Sequence, residues 1–157
     1  MPITYRDARS ADAEAICRVV RRSITECCAA DHGGDLRLLT AWLANKTPDT
    51  VRDWLHSKPS IAVIACRNED AVGFGMATPG EIKLCYVLPE VRFQGVGKAL
   101  LQRLEQAAIH STEPALRLDS TRTAQDFYAR NGFSPDGDPI SAFGLTAQPM
   151  RKPLTFH

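Results

Sequence analysis

Residues 84–101 carry the sequence LCYVLPEVRFQGVGKALL, and this stretch decides how the chain is interpreted. Its apolar first part predicts a strand, and a loop with Gly95 and Gly97 then leads into a helix whose first turn lies near Gly97. Glycines at a strand-to-helix turn let main-chain N–H groups converge on one point, where the positive end of the helix favours an anion. The stretch therefore predicts a phosphate-binding loop, to which Arg92 and Lys98 add positive charge.

Two common phosphate loops do not fit this stretch. The dinucleotide fingerprint needs a third glycine, and a Walker loop needs Ser or Thr where Ala99 follows Lys98. A glycine-rich connection that binds nothing is the alternative interpretation.

Composition and charge restrict the class of protein. The chain has 157 residues, of which 44% are apolar and 24% charged, with a net charge of +1, so we expect one domain over residues 1–157. This balance gives no reason to expect nucleic acid or an anionic membrane as partner. No apolar run approaches the ~20 residues of a membrane helix. The N-terminus lacks a signal-peptide pattern, and the five cysteines have no framework spacing, which favours the cytoplasm.

Apolar spacing predicts the helices. Ser10 is a candidate cap for a first helix, residues 36–43 form a second apolar stripe, and Thr47-Pro48-Asp49 has the cap, proline and acid of a strong helix start. Further helices are predicted after the glycine loop and before Asn131-Gly132. Residues 31–35 are polar and predict a loop.

Alternating and apolar runs predict the strands. They are expected at Ile3–Tyr5, Ile61–Cys66, Val72–Ala77, Ile82–Leu88, Leu116–Leu118, Ile140–Phe143 and Met150–Leu154. Short turns at 68–70 and 78–80 predict antiparallel hairpins. The fold class is therefore α/β (or α+β), with a central mixed, mostly antiparallel sheet of about six or seven strands flanked by helices.

The glycine loop resembles the pyrophosphate-binding motif of the GNAT acetyltransferases, because Arg92-x-x-Gly95-x-Gly97 follows Tyr86-Val87-x-Pro89. The predicted order of elements is similar to that family from end to end. The resemblance implies that acetyl-coenzyme A is a co-substrate and that no metal is needed. Its pyrophosphate would bind the amides of residues 92–98, and its pantetheine would pair with the main chain of residues 86–88. The coenzyme-binding residues implied are Tyr86, Val87, Leu88, Arg92, Phe93, Gln94, Gly95, Val96, Gly97, Lys98, Thr121, Ala124 and Phe127.

A second segment resembles the same family. Ala124-x-x-Phe127-Tyr128-x-x-x-Gly132-Phe133 is similar to the helix that lies beside the pantetheine arm, with the tyrosine near the thioester sulfur. A phenol of pKa ~10 can protonate a departing thiolate of pKa ~8.5. The alternative is that Phe127 and Tyr128 are core aromatics. The family often has Asn where this chain has Thr121, which weakens a coenzyme contact there.

Glu81 is the candidate general base, because it lies at the offset of the catalytic glutamate in several histone-type relatives. An alkylamine of pKa ~10.4 is mostly protonated at pH 7, at a cost of ~4–5 kcal/mol. The alternatives are an exposed Glu beside Lys83, ordered water as the base, or Asp119, Glu26 or Asp31 in its place.

Cys27-Cys28 with Asp31 and His32 could suggest a metal site, but adjacent cysteines do not suit one tetrahedral ion. In the resembled fold this region borders the acceptor site, so His32 would either contact substrate or lie solvated in a loop.

These features favour a cytoplasmic N-acetyltransferase that acts by direct attack on a primary amine of a small molecule or a protein N-terminus. Nucleic acid and membrane are not expected partners, and a homodimer is compatible with the sequence, which does not determine the oligomeric state or the acceptor. The alternative is a non-catalytic acyl-coenzyme A-binding sensor or partner module. A nucleotide-binding domain of another kind is disfavoured by the missing third glycine and the early hairpins.

Overall fold

The computed structural model describes residues 2–57, 60–109, 113–142 and 144–154. For Ala142 it describes the main chain only. In these ranges the helices are α1 (Ala13–Cys27), α2 (Ala29–His32), α3 (Leu36–Leu43), α4 (Pro48–His56), α5 (Val96–Ile109) and α6 (Gln125–Arg130). The strands are β1 (Ile3–Asp7), β2 (Ile61–Arg67), β3 (Asp70–Thr78), β4 (Glu81–Val87), β5 (Ala115–Ser120), β6 (Ser134–Pro135), β7 (Ile140–Ala142) and β8 (Leu145–Pro153). Phe143, predicted as part of a late strand, lies outside the described residues.

The strands form one mixed sheet in the order β1-β2-β3-β4-β5-β8-β6, with β7 paired to β8. β4 and β5 run parallel, whereas the other described pairs are antiparallel. This confirms the predicted fold class. The short β6 was not predicted, because two residues are too few to show a period.

Two tight turns create the antiparallel start of the sheet. Asn68 and Glu69 have φ of 53° and 71°, so both residues of the loop between β2 and β3 are left-handed, as a two-residue hairpin of the primed type requires. Gly80, with φ of 80°, follows Pro79 at the turn between β3 and β4. The turns predicted at 68–70 and 78–80 are confirmed.

Two glycines in β3 bring α5 close to the sheet. A Cβ at Gly73 would lie 3.1 Å from Leu100 Cδ1, and a Cβ at Gly75 would lie 3.1 Å from Leu104 Cδ1. Between them Phe74 points the other way and is fully buried, and α1 also packs against β3. The central strand is therefore covered on both faces, and the start of α5 is fixed relative to the end of β4. No described helix has the length and apolar character that a membrane span requires.

The helix starts follow local chemistry with one exception. Thr47 caps α4, its hydroxyl accepting from Thr50 N–H at 3.2 Å, as predicted. Asp35 caps α3. The prediction that Ser10 caps the first helix is wrong: residues 10–12 form a 3₁₀ turn, α1 begins at Ala13, and the Ser10 hydroxyl bonds the His56 ring at 2.7 Å.

Candidate active site

The site is created by two parallel strands that pair at only one position among the described residues. Glu81 lies opposite Arg117 in the register of β4 and β5, and Arg117 N–H donates to the Gly80 carbonyl at 2.8 Å. Beyond this point the strands have no paired positions, and a cleft of about 810 Å³ lies along β4, the ends of α1 and β5, and the starts of α5 and α6. We call it the main cleft.

One wall of the main cleft is the glycine loop. A 3₁₀ turn at Pro89–Val91 follows β4, and α5 begins at Val96. Gly95 has φ of 83°, and a Cβ there would meet nothing within 4 Å. The first bond of the helix runs from Ala99 N–H to the Gly95 carbonyl at 3.0 Å, so the amides before Ala99 have no intrahelical acceptor. This geometry suits an anion.

Gly97 serves a different purpose from Gly95. A Cβ at Gly97 would lie 3.3 Å from two ring carbons of Phe127. The glycine therefore lets the start of α5 pack against α6, and a larger residue would push the Phe127 ring aside. Both glycines are predicted phosphate contacts, but Gly97 also sets the spacing between α5 and α6.

Tyr128 lies on α6 with its side chain in the core and its hydroxyl at the main cleft. It is 7% exposed, and its ring makes edge contacts with Phe127 and Phe133 at centroid distances of 5.1 and 5.6 Å. Within the described chain its hydroxyl has no hydrogen-bond partner, yet no fully buried side-chain polar atom is left unpaired there. The hydroxyl therefore opens onto the cleft that Tyr128 lines.

Burial keeps Tyr128 protonated. Desolvation raises the pKa of its phenol well above the usual value of 10, and the nearby Cys85 and Tyr86 raise it further. Tyr128 is thus a buried core aromatic that also lines the cleft, and its role as a proton donor stays a prediction.

The thiols beside the cleft are poor nucleophiles. Burial raises the pKa of Cys85 to about 12, and burial with the charge of Asp31 raises the pKa of Cys28 to about 12. Thiolate is the nucleophilic form, so neither sulfur is activated at neutral pH.

The structure gathers most of the residues that the resemblance implied. Lining the main cleft are Tyr86, Val87, Arg92, Phe93, Gly95, Gly97, Lys98, Thr121, Ala124, Phe127 and Tyr128. Three others are not in its lining. Leu88 is buried and its N–H donates to the Val72 carbonyl, Val96 is buried in the core, and the Gln94 amide donates to the Glu90 carbonyl.

Glu81 does not line the main cleft. Its carboxylate pairs with Lys83 Nζ at 3.0 Å, and it borders a separate cavity of about 310 Å³ together with Arg117 and Asp119. Asp119 lines both cavities. Its carboxylate has no hydrogen bond or ion pair within the described residues.

The other reserve acids are engaged elsewhere. Glu26 pairs with Arg22 at 2.8 Å. Asp31 accepts from Arg122 N–H at 2.6 Å and from the Thr123 hydroxyl at 2.6 Å. On the α1 side, the lining of the main cleft includes Ser23, which was not predicted. It also includes Cys27 and Cys28, which lie in the region that the resemblance placed beside the acceptor site.

His32 is neither a substrate contact nor a solvated loop residue. It ends the short helix α2, where a loop was predicted, and is 5% exposed. Its Nε2 lies 3.1 Å from the Ile24 carbonyl, and its Nδ1 accepts from Gly34 N–H at 3.0 Å. Both expectations for this residue were wrong, because two ring nitrogens bonded to main chain leave a structural role.

Comparison with known proteins gives one family and many similar folds. A family model described as an acetyltransferase (GNAT) domain matches residues 29–154. No curated protein sequence matches the chain.

Among solved structures, the chain is similar to a GCN5-related N-acetyltransferase from Rhodopseudomonas palustris, with 24% identity, a TM-score of 0.86, and coverage of 98% of this chain and 97% of that one. It is also similar to the PaiA N-acetyltransferase of Thermoplasma acidophilum in complex with coenzyme A, at 19% identity and a TM-score of 0.80, covering 98% and 99% of the two chains. A third, YncA from Salmonella typhimurium with acetyl-coenzyme A, has 18% identity and a TM-score of 0.74, covering 100% and 96%.

Proposed function

The chain belongs to the GNAT acetyltransferase family, and we propose that it transfers an acetyl group from acetyl-coenzyme A to a primary amine of a small molecule or a protein N-terminus. The observation that carries the proposal is the placement of the Tyr128 hydroxyl. It is an unpaired phenol on a buried ring, and it opens onto the same cleft as the start of α5. The candidate phosphate-binding loop and the candidate proton donor thus share one cavity.

The residues present suit acetyl-coenzyme A. The open space at Gly95 and the free amides at the start of α5 fit a pyrophosphate, with Arg92 and Lys98 lining the same wall. The side of β4 that faces the main cleft has no strand partner beyond Glu81 in the described sheet, which suits the amides of an extended pantetheine arm. The cleft volume of about 810 Å³ lies within the usual range for small-molecule sites.

The coenzyme supplies a thioester, whose carbonyl carbon is open to attack by an uncharged amine. As the N–C bond forms and the C–S bond breaks, Tyr128 gives its phenolic proton to the departing sulfur. Desolvation disfavours the charged form of a thiol as well as that of a phenol, and burial raises the pKa of both Cys85 and Tyr128 beside the cleft. The same surroundings would therefore disfavour a free thiolate on the coenzyme, which favours its protonation as it leaves.

The amine must lose a proton before or during attack. We propose that Glu81 accepts this proton through water, with Asp119 as the second candidate because it borders both the main cleft and the cavity of Glu81. No covalent acyl-enzyme is proposed, because the pKa values of the cleft thiols Cys28 and Cys85 are raised.

The test has two parts. Coenzyme A at a hundredfold excess over its dissociation constant should add ~2.7 kcal/mol to the free energy of unfolding, which is a clear melting shift, whereas NAD and ATP should do much less. A panel of amines with acetyl-coenzyme A, followed by free-thiol release, should then identify the acceptor class. Stabilisation by a nucleotide but not by coenzyme A would contradict the proposal. Stabilisation by coenzyme A without turnover on any amine would instead support the non-catalytic module.

A further inference from the structure

Phe93 is a large apolar side chain held in solvent at the mouth of the main cleft. It is 88% exposed, more than any other large apolar side chain described, and it lines the cleft two residues before Gly95. A ring in this position adds nothing to the core. The ring therefore either contacts a molecule bound by the protein or has no role in stability or binding.

The main chain at Phe93 is strained. Its φ is 64°, in the left-handed region that favours glycine. Glycine would adopt this conformation at no steric cost, so the chain carries an aromatic ring at a position where a residue without a side chain is better suited. Strained residues of this kind concentrate at ligand sites.

One face of the ring is already occupied. The Arg92 guanidinium carbon lies 4.8 Å from the Phe93 centroid, in a cation–π contact. With 88% of the residue exposed, the opposite face is open. The result is an aromatic plane with a cation on one face, next to the helix start that is proposed to bind phosphate.

This combination suits a planar aromatic ring that is linked through a sugar to phosphate, which is the chemistry of a nucleotide. We propose that Phe93 is the stacking platform for the adenine ring of coenzyme A, and that this ring-on-ring contact is a specificity determinant for the nucleotide end of the co-substrate. The inference rests on the proposed function, because it needs the pyrophosphate to bind the adjacent loop.

The experiment measures dissociation constants by calorimetry for the wild type and for Phe93→Gly, Phe93→Leu and Phe93→Tyr. The two probes are coenzyme A and 4′-phosphopantetheine, which keeps one phosphate of the pyrophosphate and lacks the 3′-phospho-AMP half of the coenzyme. Stacking of a base on an aromatic side chain corresponds to about ten- to a hundredfold in affinity. Gly and Leu should therefore weaken coenzyme A binding by about tenfold or more and change phosphopantetheine binding by less than about twofold, while Tyr should bind as the wild type does.

Phe93→Gly separates binding from folding. It removes the ring and also relieves the strain of the left-handed main chain. Its melting temperature should therefore fall by no more than about 3 °C relative to the wild type. Phe93→Leu keeps an apolar side chain and the strain, and lacks the aromatic face.

Three outcomes overturn the inference. Equal affinity of all variants for coenzyme A would show that the ring contacts no ligand. Equal losses for both probes would show that Phe93 acts through the shape of the loop. A wild type that binds neither probe would refute the proposed function itself, and is distinguishable because no variant is needed to observe it.

Discussion

The carboxylate of Asp31 accepts a hydrogen bond of 2.6 Å from the hydroxyl of Thr123, a residue 92 positions further along the chain. The same carboxylate accepts from the N–H groups of Arg122 and Thr123. It thereby caps the turn that leads into α6, the helix of Tyr128. One residue of the α1–α2 region thus fixes the start of the helix that carries the proposed proton donor.

Asp31→Ala should lower both stability and turnover. Hydrogen bonds to a charged group contribute about 1.5–3 kcal/mol, which corresponds to a melting shift of roughly 3–12 °C in a chain of this size. Thr123→Val removes one of the three donors and keeps the shape of the side chain. In a double-mutant cycle, Thr123→Val should cost less in the Asp31→Ala background than in the wild type. Strictly additive losses would show that the pair is not coupled.

Tyr128→Phe should lower kcat by about ten- to a thousandfold and leave the coenzyme dissociation constant nearly unchanged. The melting temperature should also change little, because the hydroxyl has no partner within the described protein. Tyr86→Phe is the matched control, since Tyr86 lines the same cleft and burial also raises the pKa of its phenol. Equal effects of the two variants would remove the specific role of Tyr128.

The raised pKa of Tyr128 has a consequence for the rate–pH profile. A phenol whose pKa lies well above 10 stays protonated through the neutral and mildly alkaline range. Ionisation of Tyr128 should therefore not lower the kcat of the wild type below pH ~10. A loss of kcat at pH 8–9 that disappears in Tyr128→Phe would contradict this.

Gly95→Asp should weaken coenzyme A binding by about a hundredfold or more, because it brings a negative charge to the phosphate seat. Gly95→Asn is the matched control. Both residues tolerate a positive φ and have the same shape, and the Cβ meets nothing within 4 Å, so they differ mainly in charge. If Asn and Asp weaken binding equally, shape and not charge is responsible.

Glu81→Gln should depress kcat/KM at neutral pH, with a loss that shrinks as pH rises and the amine deprotonates by itself. Asp119→Asn should be measured beside it, because Asp119 borders the main cleft and Glu81 does not. A profile altered only by Asp119→Asn would assign the base to Asp119. Unchanged profiles in both variants would leave ordered water in that role.

Arg6 and Asp12 form a two-bond ion pair, both contacts at 2.8 Å, and this pair lowers the pKa of Asp12. A carboxyl whose pKa is lowered in the folded state stabilises the fold at pH values above its unfolded pKa of ~3.9. This contribution is lost as the pH falls through the lower pKa of the folded state. Asp12→Asn should therefore lower the free energy of unfolding by about 1 kcal/mol at pH 7, a modest loss because part of the pair is exposed to solvent. The difference from the wild type in denaturant melts should vanish at low pH.

The features that were predictable from the sequence are those set by neighbours in the chain. The start of α4 at Thr47-Pro48, the left-handed turn at Asn68-Glu69 and the glycine loop all depend on residues a few positions apart. Their chemistry therefore appears in a single sequence. The resemblance to a family then placed Tyr128 beside the loop, and the structure puts both on one cleft.

The features that were missed depend on distant parts of the chain. His32 lies in a polar stretch that predicts a loop, but its ring is buried because a carbonyl of α1 is available to it. The two-residue period of a strand predicts that Glu81 and Val87 point to the same face of β4. It contains no information on where β5 pairs, and that pairing is what separates Glu81 from the main cleft.

The single paired position between β4 and β5 has a consequence for the empty protein. Beyond Glu81 and Arg117, each strand presents an edge to the other with no partner among the described residues. An unpaired strand edge is a template for a strand from another chain, which is how β proteins aggregate. The protein should therefore aggregate most readily when no ligand is bound. An extended molecule bound between β4 and β5 would pair with their edges and so prevent strands of other copies from pairing there.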